Sequence, residues 1–211
     1  MRITKFGHAC IRVEHEGRSL VLDPGGWTEV EAVDGVDAVL VTHEHPDHFL
    51  PDHLRAAEAP IFTIAAVAER IRAEAPDLAE RVTVVSPGEQ LAVAGFAVDV
   101  VGELHAVIHP ELPRFHNFGY VVATADRSLY HPGDALTGPG RPVEVLCAPV
   151  SAPWLKAAEA VDFARSVSAP QVLAIHDRVY SEAGLGIVDG HFDRLLGDGQ
   201  SYTRLPDGAD L

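Results

Sequence analysis

Short β-prone runs dominate the first third of the chain. Residues 2–6, 10–15 and 19–22 are predicted strands, with Glu16-Gly17 as the tight turn between the last two. Asp23-Pro24-Gly25-Gly26 then breaks the pattern. Residues 38–42 (AVLVT) form a continuous apolar run, as a buried strand does, and this run ends directly on a histidine-rich segment. Beyond it the pattern predicts helices over 52–57 and 65–75, the second stopped by Pro76, and strands over 61–64, 81–85, 90–93 and 96–102. A hairpin follows over 120–124 and 128–130. Then come a strand over 143–147, a helix over 153–167, a strand over 172–175, a helix over 188–196 and a short strand over 202–205. Strands come first and strand–helix units alternate later. That order fits sheets covered by helices on their outer faces. Neither a linker-like stretch nor a fixed-period repeat interrupts it, so residues 1–211 read as one domain.

At 211 residues and 47% hydrophobic content the chain has material for one sizeable core. Its net charge of −15 opposes nucleic acid and anionic membranes as partners. Cys10 and Cys147 are too few for a disulfide framework and sit in apolar stretches, as buried free thiols do. No signal peptide and no run long enough for a membrane span is visible, which places the expected location in the cytoplasm. A homo-oligomer remains open, because periodicity does not separate a dimer face from core.

Twelve histidines are the unusual feature. His43-Glu44-His45-Pro46-Asp47-His48 follows the apolar strand directly. In an extended segment residues two apart point the same way, so His43 and His45 can present two imidazoles to one cation. Pro46 turns the chain, and Asp47 and His48 can then face a second cation beside the first. Such nitrogen and oxygen donors suit zinc.

This segment is similar to the HxHxDH signature of the metallo-β-lactamase superfamily. Phe6-Gly7-His8-Ala9-Cys10, Leu22-Asp23-Pro24 and His131-Pro132-Gly133-Asp134 extend the likeness. It is strongest to the small single-domain branch that includes L-ascorbate-6-phosphate lactonase. The resemblance implies an α+β, αββα sandwich, two mixed sheets packed face to face with helices on both outer faces, with two divalent metal ions and seven ligands. His43, His45 and a later His, either His105 or His109, would hold the first ion, with His105 favoured as closer to the end of its strand. Asp47, His48 and His176 would hold the second, with Asp134 shared between them, and Asp177 is a weaker rival to His176. Asp23 is a candidate to hydrogen-bond a ligand imidazole, and His8 to line the site or contact substrate. His109, His116 and His131 are candidates for the pocket entrance, whereas His15, His53 and His191 read as solvated.

Two departures narrow the function. His45 stands where oxygen-reducing diiron relatives carry Glu, which favours Zn2+ over redox iron, with Mn2+ or Fe2+ as the other options. Asp134 stands where dizinc β-lactamases carry Cys, which argues against antibiotic hydrolysis. The expected activity is hydrolysis of a lactone, ester or phosphoester bond in a small molecule by metal-activated water, with Asp47 as the catalytic proton acceptor. The alternatives are a non-catalytic metal- or ligand-binding member of the fold and an iron-dependent redox enzyme. Segments 110–117 and 136–141, with Phe115, Trp154 and Tyr180, are expected around the substrate.

Overall fold

The computed structural model describes residues 1–102 and 104–211. Two seven-stranded mixed sheets form the framework. In the first, β1 (Arg2–Lys5), β2 (Ile11–His15) and β3 (Arg18–Leu22) form an antiparallel meander. β4 (Ala38–Val41), β5 (Ile61–Thr63) and β6 (Val82–Val84) then continue from β3 in parallel. In the second, β7 (Gln90–Val93), β8 (Phe96–Val101), β9 (Gly119–Ala123) and β10 (Ser128–His131) are antiparallel. β11 (Val145–Pro149), β12 (Gln171–Ile175) and β13 (Ser201–Thr203) extend it in parallel. The last strand, β14 (Ala209–Asp210), returns to the first sheet and closes its edge against β1.

Side-chain alternation shows why two sheets stack here. Tyr120, Val122, Val145, Cys147, Leu173 and Ile175 point inward and join Ile3, Val13, Leu20 and Leu40 of the other sheet in one core. The intervening Val121, Leu146, Ala148, Val172 and Ala174 point outward. There they meet α3 (Ala157–Val167) and α4 (Glu182–Leu195) through Ala160, Phe163, Val188 and Phe192. On the opposite side α1 (Pro51–Ala57) and α2 (Ala65–Glu74) supply Leu54, Val67 and Ile71 to the first sheet. The αββα sandwich expected from the sequence is the observed architecture. Cys10 and Cys147 are buried free thiols, and burial pushes both thiols up. Among the described residues, no helix is long and apolar enough to cross a membrane.

Three element boundaries differ from the sequence pattern. The helix expected from Pro153 begins at Ala157, because residues 152–155 form a turn closed by Leu155 N–H on the Ala152 carbonyl at 3.1 Å. That turn leaves Trp154 outside the helix. The last helix starts at Glu182, well before Val188, with the Ser181 hydroxyl accepting the Gly184 N–H as an N-cap. Its glycines 184, 186 and 190 masked the helical pattern, but Leu185 is buried and anchors the first turn. The strand expected over 143–147 runs from Val145 to Pro149, in parallel register with Gln171–Ile175.

One polar contact crosses between the sheets beneath the histidine segment: the fully buried Tyr120 hydroxyl donates to the Val41 carbonyl at 3.0 Å. Val41 O also accepts from Thr63 Oγ1 at 2.9 Å, so it keeps a partner if Tyr120 is truncated. Tyr120→Phe is expected to lower stability in urea denaturation by about 1 kcal/mol, with metal content unchanged.

Candidate metal centre

Strand direction assembles the site. β1, β3, β4, β8, β10 and β12 all end at the same edge of the sandwich, and each hands the chain to a residue of the cluster. His8 follows β1, Asp23 follows β3, and the segment from His43 to His48 follows β4. His105 lies beyond β8, Asp134 beyond β10 and His176 directly after β12. Ligand sites lie characteristically outside the carboxyl ends of parallel strands.

The seven residues expected as ligands are brought together, and His8 joins them. Two groups result, one of His43, His45, His105 and Asp134, the other of His8, Asp47, His48 and His176, with ligand-capable atoms in each group within 4.8 Å of one another. Asp134 reaches both groups. Its Oδ2 lies 3.2 Å from His105 Nε2 and 3.3 Å from His176 Nε2, and its Oδ1 lies 3.1 Å from His48 Nε2.

Hydrogen bonds behind the rings set the tautomers. His48 Nδ1 donates to Asp23 Oδ2 at 2.7 Å, His105 Nδ1 to the Ala106 carbonyl at 2.7 Å, and His176 Nδ1 to the Ser151 carbonyl. Thr42 Oγ1 gives its hydrogen to Asp23 Oδ2 and accepts His43 Nδ1–H at 2.9 Å. In all four rings Nε2 is thereby left to face the cluster, as in metal-ligating histidines whose other nitrogen is tied to an acceptor. His8 is wired the other way. Its Nδ1 accepts the Arg178 backbone N–H at 3.3 Å, so Nε2 carries the hydrogen and donates to Asp47 Oδ2 at 3.1 Å. His8 therefore orients Asp47 rather than presenting a bare nitrogen. The sequence offered little to define this role, because it depends on the loop after β12.

Do these residues fit a metal pair? Three buried cluster atoms, His48 Nε2, His176 Nε2 and Asp134 Oδ1, have no hydrogen-bond partner. His48 Nε2 and Asp134 Oδ1 are only 3.1 Å apart but out of line for a hydrogen bond. Buried polar atoms are ordinarily satisfied, and an orphaned set of ligand-type atoms converging on one place is what cations satisfy. The donor set, imidazole nitrogens with carboxylate oxygens and no thiolate, fits zinc and its divalent neighbours.

Electrostatics point the same way. Burial opposes charge on His48, yet Asp134 and Asp23 hold its pKa well above the usual histidine range. Burial likewise opposes charge on His176, but Asp134 and Asp47 raise it to about 9. In both rings a proton stands where a cation would. Burial pushes His43 well down, His45 to about 4 and His8 to about 3, so these three are neutral and free to donate a lone pair or a hydrogen bond. Burial would raise Asp47 and Asp134, but the His176 ring 3.5 Å from Asp47 Oδ2 and the hydrogen bond from His8, and the charges of His176 and His48 on Asp134, keep both ionised.

The backbone around the cluster is tight. Gly26 N–H donates to the Pro46 carbonyl at 2.7 Å, and a Cβ on Gly25 would lie 1.9 Å from the Asp47 carbonyl oxygen. The Asp-Pro-Gly-Gly turn thus lies against the histidine segment with no room for a side chain. Asn117 Oδ1 accepts the Asp134 N–H at 2.9 Å and fixes that carboxylate's approach.

The structure corrects two of the softer expectations and places the others. His131 is fully buried and donates through Nε2 to the Ala9 carbonyl at 2.8 Å, so it braces the β1–β2 turn instead of lining an entrance. His53 is buried and bonds the Pro24 carbonyl at 3.1 Å, holding α1 to the glycine turn, and is not solvated. His116 is exposed in a hollow with Ile64 and Phe118. His109 is exposed on the loop beyond His105, with Nδ1 accepting the Glu111 N–H. Asp177 pairs with the buried Lys5 at 2.8 Å, outside the cluster. Phe115 packs edge-on against His45, and Trp154 against His105 and His176, whereas Tyr180 bonds the Ala152 carbonyl.

Comparison with known proteins gives the class. The beta-lactamase superfamily domain matches residues 2–176. Protein Rv0786c of Mycobacterium tuberculosis is 36% identical over 92% of both chains. A metal-dependent hydrolase of Methanopyrus kandleri is 31% identical over 64% of this chain and 62% of its own. The metallo hydrolase Igni18 from Ignicoccus hospitalis shares the fold, with a TM-score of 0.73 at 16% identity, covering 100% of this chain and 97% of that one. The chain belongs to the beta-lactamase superfamily and is a metal-dependent hydrolase of the metallo-β-lactamase fold.

With His48 and His176 held above the usual histidine range by the carboxylates beside them, metal loading at pH 7 is expected to release protons. Calorimetry in buffers of different ionisation enthalpy reads this directly. The His176 share of the release falls away as pH rises past about 9, and the climb of metal affinity with pH slackens there. Asp23→Asn, which removes the charge behind His48, is expected to weaken metal binding by about 10- to 100-fold in chelator competition.

Proposed function

We propose that the protein uses a dinuclear centre, with zinc as the best-fitting metal, to hydrolyse a lactone, ester or phosphoester bond of a small molecule. His43, His45 and His105 would hold one ion and Asp47, His48 and His176 the other, with Asp134 between them. The orphaned Nε2 atoms of His48 and His176 and Oδ1 of Asp134 are the observation that carries this reading. When bound, two such ions lower the pKa of water toward neutral and polarise the oxygen of the bond to be broken.

The chain's own groups do the rest. Asp47 has a side-chain exposure of 17% against 2% for Asp134, so it is the carboxylate of the pair that reaches solvent. Its Oδ2 is held by His8 Nε2–H, which leaves Oδ1 to take the proton of the attacking water and pass it outward. Asp134, buried and anchored through its backbone N–H to Asn117, keeps its negative charge at the centre. Phe115 and Trp154 shield the His45, His105 and His176 rings and limit water at the mouth.

Elemental analysis of protein purified without chelators is expected to give about two divalent ions per chain, and fewer in His45→Ala. Hydrolysis of a lactone, ester or phosphodiester panel is expected to fall about 1000-fold in the variant, the loss of several kcal/mol of charge stabilisation. A wild-type chain that takes up no metal from a replete buffer would overturn the reading.

A further inference from the structure

Lys5, the last residue of β1, is fully buried. Its Nζ lies 2.8 Å from Asp177 Oδ2 and 3.1 Å from Asp207 Oδ1. The contact joins three distant segments: the strand that leads to His8, the residue after His176, and the turn before β14. A buried ion pair contributes little net stability over an apolar pair of the same size, because both charges lose their water. The balance is poorer still here, since Asp177 Oδ1 is buried and has no partner. Stability is a weak reason for such a pair, and its position supplies another.

Beyond β12 the chain is fixed at successive points. The His176 N–H donates to the His8 carbonyl at 3.0 Å, and the His176 carbonyl accepts the Ser151 hydroxyl at 2.6 Å. Asp177 is held next, through its carboxylate on Lys5. Arg178 is held by its guanidinium, which reaches Glu29 Oε1 at 2.5 Å and also Asp207 Oδ2. Glu29 in turn accepts the Gly7 N–H through Oε2 at 2.9 Å. A Cβ on Gly7 would stand 2.8 Å from Arg178 Cζ, so the guanidinium lies against the backbone that enters His8. The peptide between Asp177 and Arg178 carries the N–H that donates to His8 Nδ1 at 3.3 Å. It hangs between two side chains anchored outside the cluster.

We propose that Lys5 and Asp177 are positioning residues for the Asp47 half of the centre. Their contact fixes the Asp177–Arg178 peptide so that its N–H meets His8 Nδ1, the ring hydrogen stays on Nε2, and Asp47 is held by its Oδ2. In the other tautomer Nδ1–H would oppose the Arg178 N–H, and Nε2 would turn a lone pair on the Asp47 carboxylate. The effect on metal rests on the dinuclear reading above; the effect on His8 does not.

The tautomer is read in the metal-free chain by long-range 1H–15N correlation of protein labelled in its histidine rings, with His8→Asn to assign the His8 signals. The wild type is expected to carry the His8 hydrogen on Nε2 alone. Lys5→Met/Asp177→Leu replaces both charges with side chains of similar size and is expected to keep the wild-type urea midpoint. It is expected to show a mixture of His8 tautomers and, in chelator competition, to bind one of the two ions about 10-fold more weakly with the other unchanged. Asp177→Asn, which keeps the shape and one acceptor for Lys5 Nζ, is expected to move both readouts in the same direction by less. A single Nε2–H tautomer in these variants would overturn the proposal, whatever the urea midpoint, because the pair would then be only a strut. Unchanged affinity for both ions alongside an unchanged tautomer would overturn it and leave the dinuclear reading standing. A tautomer mixture in the variants of a chain that takes up no metal would support the positioning of His8 and overturn the dinuclear reading.

Discussion

The carboxylate of Asp23 holds the site together. Fully buried, it accepts the Thr42 N–H at 2.8 Å, the Thr42 hydroxyl at 2.7 Å and His48 Nδ1–H at 2.7 Å. Through Thr42 it also fixes His43. One side chain at the end of β3 therefore grips the histidine segment at its entry and at its last ring. A buried carboxylate is tolerable only with such partners, so the hydrogen bonds that stabilise Asp23 are the ones that aim the imidazoles.

The remainder of the cluster is arranged at the expense of local ease. His8, Asp23 and His176 all adopt positive φ, 61°, 48° and 57°, where a non-glycine residue carries about 1–2 kcal/mol of strain. Each begins the turn that leaves a strand, and the strained step directs its side chain toward the centre instead of along the strand. The buried unpartnered atoms of His48, His176 and Asp134 add to that cost. Unsatisfied ligand-type atoms gathered at one edge of a well-packed sandwich mark a place shaped for binding rather than for folding.

The candidate ligands and the groove beside Trp154 occupy different parts of the chain. The candidate ligands sit at strand ends, where the sheets hold them rigid, and the groove is walled by the loop beyond His105, Leu136 and the turn before α3. Trp154 belongs to both, touching the histidines on one side and lining the groove on the other. Loops can change what is bound without moving the strand ends that would act on it.

The sequence by itself determined the sandwich and the principal cluster. The apolar runs of β4 and β12 and the spacing from His43 to His48 are local properties, and local patterns survive folding. His105, Asp134 and His176 were legible through the family resemblance, each following a predicted strand. Tertiary structure decided what depends on distant backbone. Whether His8 offers a lone pair or a hydrogen is set by the N–H of Arg178, 170 positions away. His131 and His53 became braces because carbonyls of Ala9 and Pro24 wait beside them. Trp154 left its helix because the turn at Ala152 carries it to the histidines. A ring's neighbours across the fold, which no spacing records, choose among packing, orienting and binding roles.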